Sequence, residues 1–168
     1  LPLSKHRLSF ALVLIAVGIW QLAVNVSPEA RAIAYGHQNW PINVIGCGIF
    51  LGLIALITHC PGWYIPACIV TGVGGLLFYQ NRSGDWDSWA YAWTLIPAFV
   101  AVGLALMGVA LRKRGLFIAA AWTLFGSVVL FGIFGSTLGG LPVAGAAMAL
   151  AAIMLGVLFL VLPFRHRA

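Results

Sequence analysis

Few side chains in this 168-residue chain are of a type that does chemistry: four histidines (His6, His37, His59 and His166), three cysteines (Cys47, Cys60 and Cys68) and three acids (Glu29, Asp85 and Asp87). The densest polar stretch is Asn81-Arg82-Ser83-Gly84-Asp85-Trp86-Asp87-Ser88-Trp89. Asp85 and Asp87, with backbone oxygens, could make a weak calcium site, although the other ligand positions of an EF-hand loop are missing. Arg82, Asp85, Trp86, Asp87 and Trp89 could instead form an outer docking surface, because Trp and Arg are typical interface anchors. The plainest reading is structural. A turn at Ser83-Gly84 precedes a helix capped by Asp87 or Ser88, with Trp86, Trp89 and Trp93 lying at a membrane–water boundary.

An intramembrane haem needs histidines on facing helices, and all four histidines fall outside or at the edge of the apolar runs. His59, beside Cys60, and His37 could ligate a pigment or metal near the interface. A histidine at a helix C-terminus, where the helix dipole favours it, is the simpler account of His59. The cysteines make no Cys-x-x-Cys pair, so no disulfide is expected. They read as small apolar fillers, with acylation of Cys60 as an open alternative. There is no nucleophile–His–acid set, no His-Glu-x-x-His and no Gly-x-Ser-x-Gly. An enzyme is therefore not expected, and no cofactor is implied.

The elements that hold these residues follow from composition. Hydrophobic residues make up 62% of the chain and charged residues 7%, against about 25% charged in a soluble domain; mean hydropathy is +1.05. So few charges cannot coat a water-soluble globule, and the chain reads as an integral membrane protein. Six stretches have the apolar length to cross a bilayer: 8–26, 41–58, 63–79, 89–111, 116–134 and 141–162. None holds an Asp, Glu, Lys or Arg, and none alternates as a β-barrel strand must. The predicted fold is all-α: a single domain over 1–168, a polytopic bundle of six transmembrane helices.

Charge position sets the expected orientation. With both termini in the cytoplasm, the inner segments carry Lys5, Arg7, Arg112, Lys113, Arg114, Arg165 and Arg167, while the outer ones carry Arg31, Arg82 and all three acids. That is the positive-inside pattern of a bacterial-type cytoplasmic membrane. Topology and anionic lipid thus account for the net charge of +6, and nucleic acid is not required. Lys5-His6-Arg7 before an apolar run has the outline of a signal peptide. The run is long for a signal core, however, and Pro28, Glu29 and Arg31 crowd the cleavage position, so it reads as the first helix.

Small residues predict how the helices meet. Gly145, Ala149, Ala152 and Gly156 share one face of the sixth span, Gly48 and Gly52 do so in the second, and Ala101 and Ala105 in the fourth. Ile65-Pro66-Ala67 with Gly72 recurs 31 residues later as Ile96-Pro97-Ala98 with Gly103, each preceded by a Trp, Trp63 or Trp93. This pattern points to a duplicated helical hairpin. Gly72, Gly74 and Gly75 could break the third span as carrier helices are broken, although helix packing explains them more simply.

The Trp-Pro-rich, Gly-punctuated spans, together with Tyr79-Gln80-Asn81 through Trp89-Ala90-Tyr91-Ala92-Trp93 to Ile96-Pro97, resemble the membrane portion of bacterial LiaF/LiaI-type proteins over Trp40 to Leu111. The resemblance implies a small multi-helix module linked to envelope stress sensing, without the soluble C-terminal domain of LiaF-type regulators. It implies no catalytic residues. The expected function is that of a non-enzymatic accessory subunit, assembly factor or sensor, with the lipid bilayer, other membrane proteins or further copies of itself as partners. Two alternatives stay open: a passive channel or transporter for a small neutral solute, and a pigment- or lipid-binding subunit of an energy-conversion complex.

Overall fold

The structure, a computed structural model, describes residues 5–36 and 40–138. The predicted sixth span at 141–162, with Gly145, Ala149, Ala152 and Gly156, lies outside the described residues, as do His37 and His166. The described chain is helical and contains no strand. Its elements are α1 (Lys5–Val26), α2 (Pro28–Tyr35), α3 (Trp40–Thr58), a 3-10 turn (Pro61–Trp63), α4 (Tyr64–Ser83), α5 (Trp89–Ala92), a second 3-10 turn (Trp93–Leu95), α6 (Ile96–Leu111) and α7 (Arg114–Leu138). Five segments are long and apolar enough to cross a membrane: Arg7–Val26, Trp40–Thr58, Pro61–Ser83, Trp89–Leu111 and Arg114–Leu138.

The elements differ from the sequence reading at four points, one being the fifth span, which runs Arg114–Leu138 rather than 116–134. The link Ser27–Trp40 contains a helix, α2, because Ser27 accepts the Ala30 N–H as an N-cap and Pro28 and Glu29 suit a first turn. The third span continues past Tyr79 to Ser83 and stops at Gly84, which takes the left-handed conformation at φ 71° and donates its N–H to the Gln80 carbonyl. Polar residues Gln80, Asn81, Arg82 and Ser83 therefore form its last turn. The Gly72–Gly75 stretch leaves α4 unbroken; the interruption lies in the fourth span, at Trp93–Leu95.

α4 is the centre of the packing, with α3 and α6 against it, and α7 packs against α6. Absent side chains permit this. A Cβ on Gly48 would collide with the Thr71 hydroxyl and lie 2.9 Å from the Ala67 carbonyl, so α3 and α4 touch backbone to backbone. A Cβ on Gly74 would come 2.8 Å from the Ile45 nitrogen, and one on Gly103 would come 2.6 Å from the Ile65 Cα. Gly52 is looser, with the Ala67 methyl 3.8 Å from where its Cβ would stand. α1 is held at one end by an edge-to-face contact of Phe10 with Trp63, ring centroids 5.2 Å apart. Large apolar side chains such as Leu14, Ile57 and Ile118 point outward. Water penalises such a surface, and lipid does not.

Candidate functional site

Two places combine unusual residues with defined geometry. The first is the polar end formed by the last turn of α4, the loop 84–88 and the start of α5. Gln80 is fully buried, and its Nε2 donates to Ser88 Oγ at 3.0 Å. Ser88 Oγ in turn donates to the Asp85 carbonyl at 2.7 Å. The Asp85 carboxylate accepts the Ser88 N–H at 3.2 Å, and Ser83 Oγ accepts the Asp85 N–H at 3.3 Å. Asp85, rather than Asp87 or Ser88, thus closes the entry to the fourth span. Ser88 has turned its hydroxyl inward to Gln80 and supplies no side-chain cap. The Oε1 of Gln80 is buried without a hydrogen-bond partner.

The residues expected to dock a partner are placed as follows. Asp85, Trp86, Asp87 and Trp89 are exposed. Arg82 is exposed too, and its guanidinium lies over the Phe78 ring one turn back, 5.9 Å from the centroid. Trp93 donates its ring N–H to the Ala90 carbonyl at 3.0 Å and meets Phe134 edge to face at 5.5 Å. Among the described residues no three His, Cys, Asp or Glu side chains converge as a metal site requires.

Beneath this loop the fourth span is interrupted and repaired. In an unbroken helix the Ala98 N–H would bond the Thr94 carbonyl four residues back. Ser127 of α7 inserts its hydroxyl between them, accepting from Ala98 N at 3.1 Å and donating to the Thr94 carbonyl at 2.6 Å. Ser127 and Thr94 are both fully buried. A hydroxyl wedged into the ladder is a recognised cause of a helix break, and a neighbouring Ser is what makes such a break tolerable in an apolar medium. Gln80, Thr94 and Ser127 belong to no functional motif that the sequence shows. A Pro three or four residues after a Thr, with a lone Ser in a facing span, was the available signal.

The second place is an apolar crevice of about 310 Å³ on the outside of the α3–α4–α6 sheaf. Gly52, Gly72, Phe99 and Leu106 are among the residues that line it, beside the buried Gly48–Ala67 contact. Cys68 is half-buried there. Cys60 is buried, but Cys47 is exposed, so it is not the buried filler expected of it. His59 is exposed at the end of α3 with a left-handed backbone, φ 50°, and donates its N–H to the Leu56 carbonyl at 3.3 Å. Comparison with protein-family models, with curated proteins and with solved structures gave no match.

Proposed function

We propose that this chain is a non-enzymatic module of a bacterial-type cytoplasmic membrane that acts by lateral contact, as an accessory subunit, assembly factor or envelope sensor of the LiaF/LiaI-like kind. Six spans with both termini in the cytoplasm fit the charges. On that topology Lys5, Arg7 and the Arg112-Lys113-Arg114 turn fall on the inner side, and Arg31, Arg82, Glu29, Asp85 and Asp87 on the outer.

The observation that carries the reading is the crevice. Gly52, which meets only the Ala67 methyl, leaves room there for another helix to approach, and the apolar lining suits hydrocarbon rather than a hydrated solute. The occupant is a transmembrane helix of another chain, which gains van der Waals contact that lipid tails fill less well. The exposed Trp86 and Trp89 beside Asp85 and Asp87 provide a second, outer contact for the same partner.

Native mass spectrometry after gentle extraction into lipid nanodiscs tests this. The wild-type chain is expected to carry a second membrane polypeptide, a copy of itself or another protein. Gly52→Leu, which fills the crevice floor where the structure leaves space, is expected to remove it. A lone monomer that instead lets a neutral solute leak from reconstituted vesicles would favour the channel reading.

A further inference from the structure

The two basic residues that the proposed topology places outside run against the positive-inside bias, and they are used differently. Arg82 is folded onto Phe78. Arg31, itself exposed, lines an open groove of about 530 Å³ at the elbow between α1 and α2, together with Asn25, Val26, Pro28, Ala32 and Gly36.

The guanidinium is fixed in this elbow. Arg31 Nε donates to the Val24 carbonyl and Nη2 to the Asn25 carbonyl, each at 3.3 Å. These carbonyls belong to the last turn of α1, where the helix leaves acceptors unpaired, so Arg31 caps that end and is oriented by it. The two bonds use a minority of the donors that a guanidinium offers. Its near neighbour Glu29 is turned to the N-cap, where the carboxylate accepts from Ser27 Oγ at 3.2 Å. Among the described residues no carboxylate is a partner of Arg31. The result is an oriented, exposed cation at an open groove, with Val26 and Ala32 beside it as apolar wall.

We propose that the α1–α2 elbow binds the phosphate of an anionic phospholipid headgroup from the outer leaflet, held by Arg31. A planar guanidinium matches phosphate oxygens in a way that a point charge does not, and the apolar wall favours a lipid over free phosphate. The assignment of the leaflet rests on the topology proposed above.

The test uses the full chain in nanodiscs of zwitterionic phosphatidylcholine doped with phosphatidylglycerol, with retained lipid counted by native mass spectrometry. Wild type is expected to retain phosphatidylglycerol at least about fivefold better than Arg31→Gln, the weight of one basic side chain at an anionic surface. Glu29→Gln is expected to retain as much as wild type, and Arg31→Lys an intermediate amount. Equal retention by wild type, Arg31→Gln and Arg31→Lys overturns the site. Displacement of the lipid by equimolar inorganic phosphate overturns the lipid as its ligand, in favour of a free anion. In intact cells and inverted membrane vesicles, labelling of Ala32→Cys by a membrane-impermeant thiol reagent, with wild type as background, separates the two premises. Labelling from the cytoplasmic side alone overturns the topology and the outer-leaflet assignment, whatever the lipid count.

Discussion

The helices α4 and α6 begin with the same motif and meet different fates. α6 starts at Ile96-Pro97-Ala98 and α4 one residue ahead of Ile65-Pro66-Ala67, each after a 3-10 turn that contains a Trp, and they pack on one another with Gly103 over Ile65 and Gly72 over the Phe99 ring. Before α4 the 3-10 turn follows a loop, so the span is continuous. Before α6 it interrupts a span already begun at Trp89, and Ser127 of α7 must mend the ladder. The two also end differently. Gly84 closes α4 with a left-handed backbone that costs glycine little, whereas Arg112 adopts φ 52° after α6 with a full side chain. A local motif therefore sets where a proline-bearing helix can start, and its neighbours set whether the start falls at a surface or inside a span.

This contrast can be broken by substitution. Gly103→Leu is the most damaging change expected, about 3 kcal/mol or more, because the new side chain meets the Ile65 backbone, which has no rotamer to yield; reversible unfolding in mixed micelles reads it. Ser127→Ala follows at about 2 kcal/mol, since it orphans the Ala98 N–H and the Thr94 carbonyl. Amide hydrogen exchange at Ala98 is expected to speed up in that variant while the amides of α4 keep their rates. Arg112→Gly moves the other way and gains about 1 kcal/mol by relieving the left-handed conformation, whereas Gly84→Ala loses about as much; paired thermal melts give both signs. Gly72→Ala costs at least about 1 kcal/mol, because its methyl would overlap Cγ, Cδ1 and Cδ2 of Phe99 and the whole ring must swing about χ1 to clear it. A cost equal to that of Gly103→Ala would mean that the ring is locked.

Apolar length made five of the spans legible to within a few residues, because a run such as Trp40–Thr58 admits no other structure. The turn at Gly84 was equally plain, glycine being the residue that takes positive φ most freely. What stayed hidden depends on partners. Gln80 reads as a loop residue until Ser88 and Asp85 fold over it, and Ser127 reads as an incidental polar residue until α7 is laid beside the break at Trp93–Leu95. The helix α2 was available in Ser27-Pro28-Glu29, but a search for membrane-length runs overlooks a helix of eight residues. Gly48 was placed on a close-packing face, and the structure shows what it faces: Thr71 and the Ala67 carbonyl.

The central claim is that the crevice between α3, α4 and α6 receives a helix of another chain. A photo-crosslinking residue at Val102, within the crevice, and another at Ile118, on the outward face of α7, test it in native membranes. The account predicts an intermolecular adduct from position 102 that Gly52→Leu abolishes, and only lipid adducts from position 118. An adduct from position 102 to residues 141–162 of the same chain, or equal yields from both positions, would contradict it.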